Sequence, residues 1–572
     1  MNTQPGGAGG PTNPGDVAFD SSTGVTSRKP ACSTRQHRTA ARLTSFAVSR
    51  ELVWALIALG AVVRVREYLA NRSLWLDESF LSLNLIEKPI EKLFGPLQFN
   101  QAAPPGFLLI EKLAIELFGP SEYVLRAFPL VCGLVAVPLF AALARQVLPP
   151  IAVPVALALF VLSSFLIYYS SEVKPYSADV AVTVAFGLIT IGLTQGSTAP
   201  RALVLAAVGG ALLIQISTVG VIVAAASGIV LAAGSALRRS WATLRARAIV
   251  VTPWAISAAA FLWVYRRNTS HYTFGEDTFA RAPTSRSDFV WWGGPLKSLA
   301  WLIDLYHTMH GPTAVITALA AILACAGGVV LLRRDRVIFA LSALIVAFLL
   351  VASTLHKYPL VPRTLLFLTP ALILVITLGL ATIADRMGGL RASVLLLPTA
   401  LLLAFPAADA VGNFAHPKRP QDMKGNLRFI AQHWRPGDTL YLHYPTQFAF
   451  AYYNECDCFS VPVVSGNSPL WPVRRAGAAK PWIQMPRALI SRSTRLIVGR
   501  FAGEYYPGIY RDDVAAIRAH RRAWILMTFV ASDDELSFVR RDLLSRLDRS
   551  GRRVLSRRTR SAWVYLYRFS KP

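Results

Sequence analysis

The chain carries little charge for its length. Only 16% of its 572 residues are charged, while 53% are hydrophobic, and the mean hydropathy is +0.43. A soluble domain would carry about 25% charged residues, so this scarcity excludes an ordinary soluble fold for most of the chain. Apolar runs of about 20 residues, the length of a helix that crosses hydrocarbon, recur between residues 51 and 411. The bilayer is therefore the expected solvent for this part.

Metal-binding and nucleic-acid-binding patterns are also missing. The cysteines are scattered without metal-ligand spacing, and residues 74–79 contain no DxD triplet. No cofactor is predicted, although a divalent cation is left open. No nucleic-acid module is visible, so the net charge of +27 is assigned to cytoplasmic loops and anionic lipid headgroups. Cys456 and Cys458 form a CxC, either disulfide-bonded or as two free thiols.

Eleven membrane spans are predicted. Residues 1–49, which are polar and end in basic residues, form a disordered tail without the apolar core of a signal peptide. The short loops rich in arginine all fall on the side of this tail, which the positive-inside rule makes cytoplasmic. The spans of this transmembrane domain (50–411) are 50–68, 123–145, 151–169, 177–195, 202–217, 219–236, 248–265, 312–332, 337–354, 362–383 and 392–411.

The pattern changes after residue 411. Residues 412–572 alternate helical stretches with short β-rich runs, which predicts a small α/β domain outside the membrane. The β-rich runs are 439–444, 495–500, 523–530 and 562–569. The segment Pro104 to Phe118 is apolar but contains Glu111, Lys112 and Glu116, so we expect a helix that lies on the membrane surface.

Four polar segments, distant in sequence, fall on the outer side of the predicted spans. They are LWLDES (74–79), FNQAAPPGF (99–107), YYSSEVKPYSAD (168–179) and LHKYPLVPR (355–363). Because each adjoins the outer end of a span or lies in an outer loop, we expect them to meet at one membrane face. Such a cluster at the bilayer boundary is suited to an interfacial site.

As a set, these segments resemble the GT-C class of glycosyltransferases, in particular family 39 and the related protein-mannosyltransferase and lipid A aminoarabinose transferase group. The shared pattern is an Asp-Glu pair after the first span, a Pro-Pro before a surface helix, a YS-E-(R/K)-xY segment and a late Tyr-Pro…Arg. It covers about residues 50–385. Ala102 and Ala103 depart from it, because some relatives carry an acidic residue and a lysine there. The resemblance implies an all-α polytopic membrane enzyme that uses polyprenyl-phosphate sugars.

The resemblance implies that Asp77 is the catalytic base, which takes the proton of an acceptor hydroxyl. Glu78, also assigned to the catalytic pair, would orient the reacting groups. The alternative is that Asp77 caps the helix that follows it, since aspartate is a favoured N-cap residue.

The remaining candidates would bind the donor. Cations stabilise a leaving phosphate, and polar groups orient the sugar. The alternative is an interfacial belt in which tyrosines lie at headgroup level and long basic side chains snorkel. The donor-site candidates are Gln101, Glu172, Lys174, Tyr176, Asp179, His356, Lys357 and Arg363.

The sequence thus predicts a hexosyl- or pentosyltransferase of a prokaryotic-type plasma membrane, with its site and C-terminal domain extracytoplasmic. Its expected partners are a polyprenyl-phosphate-linked sugar, an acceptor that is a glycan, lipid or protein, and membrane lipids, but no nucleic acid. Two alternatives stay open. A transporter or lipid-linked-glycan flippase would place ionisable residues near the bilayer midplane, and a non-catalytic carbohydrate-binding membrane protein would use the same fold.

The positive-inside assignment makes a prediction about topology. Single cysteines introduced at positions 270–300 and 430–560 of a cysteine-free variant should react with an impermeant maleimide added to intact cells. A cysteine at position 240 should react only after permeabilisation. The reverse labelling pattern would place the four polar segments on the cytoplasmic side.

Overall fold

The computed structural model describes residues 50–99, 101–196, 199–237, 240–268, 314–355, 357–387, 391–453, 495–499, 507–528, 533–559 and 561–570. The tail expected over residues 1–49, the candidate His356 and the Cys456–Cys458 pair lie outside this part.

Residues 50–415 are helical wherever the structure describes regular secondary structure. Short 3-10 turns occur at Pro150–Ala152 and Leu366–Leu368. The helices are α1 (Arg50–Leu69), α2 (Leu76–Glu87), α3 (Ile90–Leu93), α4 (Pro105–Phe118), α5 (Glu122–Val147), α6 (Val153–Leu162), α7 (Ser164–Tyr169), α8 (Tyr176–Thr194), α9 (Pro200–Ile216), α10 (Gly220–Leu237), α11 (Trp241–Asn268), α12 (Ala314–Arg334), α13 (Arg336–Thr354), α14 (Thr369–Arg386) and α15 (Arg391–Ala415).

The chain is a multi-pass membrane protein. Each of the eleven predicted spans coincides with a helical segment, and among the described residues eight helices are long and apolar enough to cross a membrane, by length and composition. The remaining segments are shorter or carry charge: α9 has 17 residues, and α1 contains Arg64 and Glu67. The span expected at 151–169 is interrupted at Ser163, which separates α6 from α7.

The bundle packs closely where small residues face each other. A Cβ on Gly327 of α12 would collide with the carbonyl oxygen of Val375, and a Cβ on Gly379 of α14 would collide with that of Leu323. Close backbone approach at small residues is a common way for helices to associate without a hydrophobic driving force. Gly328, next in sequence, has open space around its Cα, so the contact is specific to one helix face.

The helix expected on the membrane surface is found at Pro105–Phe118, but it is not a freely exposed surface helix. Glu111 and Lys112 are buried at 0% and 7% exposure, and Lys112 donates to the carbonyl of Leu85 at 3.0 Å. The physical reason is that α4 packs its Phe107 and Leu108 into a core shared with the C-terminal domain. The predicted helix is thus confirmed, and two of its charged residues, Glu111 and Lys112, lie inside the protein.

The C-terminal residues form an α/β unit around a five-stranded sheet of order β2-β1-β3-β5-β4. The strands β1–β3 are parallel, and β5 pairs antiparallel with both β3 and β4. A π-helical turn lies at Arg540–Leu544. The elements are α16 (Met423–His433), β1 (Thr439–Leu442), α17 (Thr446–Tyr453), β2 (Arg495–Val498), α18 (Arg511–Arg518), β3 (Arg522–Thr528), α19 (Asp533–Val539), α20 (Ser545–Ser550), β4 (Arg552–Thr559) and β5 (Ala562–Arg568).

The four β-rich runs correspond to β1, β2, β3 and β5, so the predicted α/β unit is confirmed. Sequence reasoning missed β4. Its sequence RRVLSRRT is dominated by arginine and lacks an apolar face, because β4 is an edge strand whose residues are mostly exposed.

The C-terminal unit docks on the bundle through a common apolar core. Leu81 of α2 and Phe107 of α4 share this core with Leu440 of β1 and Trp524 of β3. Since all four side chains are at most 1% exposed, the hydrophobic effect holds the sheet against α2 and α4. The docked surface therefore lies beside the LWLDES segment.

Candidate active site

Asp77 lies in the first turn of α2. The helix begins at Leu76, and Trp75 occupies the N-cap position, so Asp77 is not the cap. Its Oδ2 instead pairs with the Arg363 guanidinium at 3.2 Å, and the two side chains are 23% and 37% exposed. The other oxygen, Oδ1, accepts no hydrogen bond within the described part of the chain. The capping alternative is thus wrong, and a carboxylate oxygen is free beside a cation.

Arg363 lies in a turn just before the 3-10 turn Leu366–Leu368, and not inside the span predicted from residue 362. Burial lowers its pKa, but Asp77, together with Tyr176, Tyr169 and Glu172, outweighs burial and raises the pKa above its ordinary value. The guanidinium also lies 5.4 Å from the centre of the Trp75 ring. Because a guanidinium has five donors, most of them stay available for a ligand such as phosphate.

Glu78, the neighbour of Asp77, is fully buried. Its carboxylate accepts two hydrogen bonds from Arg126, from Nε at 2.9 Å and Nη2 at 2.7 Å. It also accepts from the backbone N–H groups of Val173 at 3.0 Å and Trp75 at 3.3 Å. Burial raises the pKa of Glu78, but Arg126 and Arg72 outweigh burial and hold it below its usual value. A carboxylate with these partners can position its neighbours, but it has no face for a substrate.

Lys174 and Gln101 meet across two of the polar segments. The Lys174 ammonium donates to Gln101 Oε1 at 2.6 Å, and both side chains are buried at 8% exposure. Burial lowers the pKa of Lys174, Asp77 raises it and Arg363 lowers it, so the three charges lie within electrostatic reach of one another. The segments 74–79, 99–107, 168–179 and 355–363 thus contribute to one cluster, which we call the Asp77 cluster: Asp77, Gln101, Lys174 and Arg363.

Glu172 is a buried carboxyl group without a hydrogen bond. Neither of its oxygens has a partner within the described residues, and the closest cation, Arg72 Nη2, lies 4.0 Å away. Burial and the charge of Glu78 raise the pKa of Glu172 to about 7. Its surroundings therefore favour the neutral form of the carboxyl group more than water does.

The other donor-site candidates have different positions. Tyr176 is half-buried, and its ring lies 5.2 Å from that of Tyr169. Asp179 is buried and accepts hydrogen bonds from the Ser217 hydroxyl and the Thr218 N–H, both at 2.7 Å. These bonds tie α8 to the segment before α10, and a donor contact of Asp179 stays a prediction.

Of the two basic candidates before Arg363, only Lys357 belongs to the part of the chain that the structure describes. Lys357 is exposed, and its side chain makes no ion pair or hydrogen bond with the described residues. His356 lies outside those residues.

Sequence reasoning missed two buried cations that bind the segments carrying the Asp77 cluster. Arg72 and Arg126 are each 1% exposed. Arg72 donates to Glu67 at 2.7 Å and to the carbonyl of Ser171 at 2.6 Å. Arg126 fell inside a predicted apolar span, and an ionisable residue in such a place is a functional signal that would have found it.

Within the described residues, no group of three or more His, Cys, Asp or Glu side chains could hold a metal ion. The charge in the Asp77 cluster is instead supplied by Lys174 and Arg363.

No known family model matches the chain, and no curated protein matches it. Solved structures resemble it distantly. ArnT from Cupriavidus metallidurans in the apo state is 14% identical, with 91% of this chain and 98% of that chain covered and a TM-score of 0.48. The oligosaccharyltransferase AglB from Archaeoglobus fulgidus, in complex with an inhibitory peptide and a dolichol-phosphate, is 14% identical, with coverages of 90% and 74% and a TM-score of 0.46. ArnT bound to undecaprenyl phosphate is 13% identical, with coverages of 90% and 98% and a TM-score of 0.37.

The buried Glu78–Arg126 pair makes a prediction about stability. Glu78→Gln leaves the Arg126 guanidinium buried without its counter-charge, which should lower the free energy of unfolding by about 3–5 kcal/mol. The measurement is denaturant unfolding in detergent micelles.

Glu116→Gln is the matched control, because Glu116 is 48% exposed and pairs with Lys112 at 3.8 Å. It should change the free energy of unfolding by at most about 1 kcal/mol. Equal effects of the two substitutions would show that Glu78 does not hold the site together.

Proposed function

We propose that the protein is a membrane glycosyltransferase, which transfers a sugar from a polyprenyl-phosphate donor to an extracytoplasmic acceptor by inverting displacement. The proposal is carried by the Asp77–Arg363 pair, in which a carboxylate that is 23% exposed lies 3.2 Å from a cation. Its Oδ1 accepts no hydrogen bond from the residues that the structure describes. A base and a phosphate-binding group are the two functions that this reaction needs side by side.

The reaction would proceed in one displacement. The acceptor hydroxyl gives its proton to Asp77 Oδ1, and its oxygen forms a bond to the anomeric carbon. The bond between that carbon and the phosphate oxygen breaks, and polyprenyl phosphate leaves with the electron pair from the opposite face. Phosphate is a good leaving group, so positioning and charge stabilisation supply most of the rate.

The two cations of the cluster would hold the donor phosphate. Arg363 presents a planar fork suited to phosphate oxygens, and Lys174 adds a point charge kept in place by Gln101. Lys174 is bound to Gln101 through one of its three donors, so two remain for a ligand. Glu78 and Arg126 position the segments that carry these groups.

Removal of the base should slow the chemical step and spare donor binding. Asp77→Asn keeps the size of the side chain but cannot accept the proton, so kcat should fall by about 10²–10⁴-fold. The measurement is the release of polyprenyl phosphate from radiolabelled polyprenyl-phosphate sugars in single-turnover assays.

Asp335→Asn is the control for this substitution. Asp335 caps α13 through the N–H groups of Val337 and Ile338, both at 3.1 Å, and asparagine caps nearly as well as aspartate. Its turnover should stay at the wild-type value. Near-normal turnover of a folded Asp77→Asn variant would remove Asp77 from the mechanism.

Donor binding should depend on the two cations. Lys174→Ala and Arg363→Ala each remove charge-assisted hydrogen bonds worth about 1.5–3 kcal/mol, so the Kd of polyprenyl phosphate should rise about tenfold to a hundredfold. Native mass spectrometry of the purified protein with added polyprenyl phosphate measures this Kd. The control is Lys357→Ala, which removes an exposed lysine from the segment that carries Arg363. This substitution should leave the Kd unchanged. Unaltered Kd values for all three variants would assign Lys174 and Arg363 to headgroup anchoring.

A further inference from the structure

A second cleft adjoins the Asp77 cluster. Its volume is about 450 Å³, and its lining includes Trp75 and Tyr169 but none of the four residues of the Asp77 cluster. Trp75 precedes Asp77 by two residues, and its ring lies under Arg363. The two sites are therefore neighbours, because Trp75 lines the cleft and lies beside Arg363, the partner of Asp77.

One wall of the cleft is a face of α15, the last helix of the bundle. Phe405, Asp409 and Asn413 line it, and their spacing of four residues places them on the same side of the helix. The opposite wall is α7, which contributes Phe165 and Ser164 among others. The cleft thus lies between the interruption of one span and the end of another.

The cleft has no net positive charge, because its charged lining residues are Glu67, Asp409 and Lys418. Lys418 donates to both oxygens of Asp409 at 3.1 and 3.3 Å, and the Asn413 amide donates to Asp409 Oδ2 at 3.3 Å. Because the charge of Lys418 is balanced by Asp409, the cleft offers hydrogen bonds without a net cation. Hydroxyl groups suit such a lining better than a phosphate does, since a phosphate requires uncompensated positive charge.

The apolar groups of the cleft face the lipid side of the bundle. Phe405 is 36% exposed, and Val411 and Phe414, next to the cleft on α15, are 69% and 45% exposed. In a helix long and apolar enough to cross a membrane, exposed apolar side chains face acyl chains. A ligand in the cleft can therefore keep an apolar tail in the bilayer while its polar part reaches Asn413 and Asp409.

We propose that this cleft binds the headgroup of a membrane-anchored glycolipid, which serves as the acceptor. The inference rests on the proposed transfer reaction, because an acceptor hydroxyl must come within hydrogen-bond reach of Asp77. The aromatic rings of Trp75 and Tyr169 offer apolar surfaces for a sugar ring, and the Asp409–Lys418–Asn413 group offers donors and acceptors for its hydroxyls. The donor phosphate stays with Lys174 and Arg363.

Photolabelling tests the site without requiring turnover. The probe is a dodecyl maltoside that carries a diazirine in its alkyl chain, added to the full-length protein in nanodiscs. Mass spectrometry should find labelled peptides from 164–169 and 405–413, and unlabelled dodecyl maltoside should compete. Polyprenyl phosphate should not compete. Competition by polyprenyl phosphate would make the cleft part of the donor site, and uniform labelling of lipid-exposed helices would remove the site altogether.

A matched pair of variants on α15 sharpens the test. Asn413→Trp fills the cleft and should reduce labelling at least about tenfold, a loss of about 1.4 kcal/mol in binding. Val411→Trp places the same side chain at the lipid-exposed position two residues away and should leave labelling unchanged. Asp409→Asn, which keeps the shape of the cleft, should weaken labelling to a smaller extent. Equal labelling of the Asn413 and Val411 variants would overturn the proposal.

Failure of the cleft and failure of the transfer reaction give different results. If transfer occurs, and if Asn413→Trp changes neither the acceptor KM nor the extent of labelling, the acceptor site lies elsewhere. The proposed reaction then stands. If labelling is specific but no polyprenyl-phosphate sugar is turned over, the cleft remains a glycolipid site and both the reaction and the acceptor role are wrong. A raised acceptor KM with an unchanged donor Kd supports both.

Discussion

The buried ion pair between Glu78 and Arg126 fixes the geometry on which the candidate site depends. It joins α2 to α5 and, through the N–H of Val173, to the segment that carries Lys174. Neighbouring residues of an α-helix point about 100° apart, because the helix has 3.6 residues per turn. With Glu78 held inside, Asp77 must turn toward the surface and toward Arg363. The two acidic residues thus have different roles: Glu78 stabilises the site from inside the protein, and Asp77 is one of the residues of the site.

The sequence was informative where a single periodic signal decided the outcome. Apolar runs predicted the helices of the bundle, and β-branched and aromatic runs predicted four of the five strands. The grouping of Asp77, Lys174 and Arg363 was also predicted from sequence, because the polar segments that carry them were expected at the same ends of the spans. In each case the same side-chain property determined both the local element and its place in the fold.

The sequence failed where a tertiary contact overrode a local pattern. Glu111 resembled a surface residue, yet α4 turns it into the protein, where neither carboxylate oxygen has a partner among the described residues. Asp77 resembled an N-cap, but the helix begins one residue earlier. The hydrogen bonds from Ser217 and Thr218 to Asp179 are also tertiary contacts that no local pattern predicts. The edge strand β4 buries little surface, so its sequence does not alternate apolar and polar residues. Strand prediction from hydrophobic pattern therefore could not detect it.

The C-terminal unit completes the backbone around Asp77. Tyr453 accepts a hydrogen bond from the Leu74 N–H at 2.7 Å, and Gln421 accepts one from the Leu76 N–H at 3.1 Å. Leu74 and Tyr453 are 379 residues apart, and chains are synthesised at about 5–20 residues per second. During biosynthesis, the Asp77 segment therefore waits on the order of 20 to 75 s for its last supports. During that interval the backbone N–H groups of Leu74 and Leu76 have not yet met the partners that they have in the folded chain.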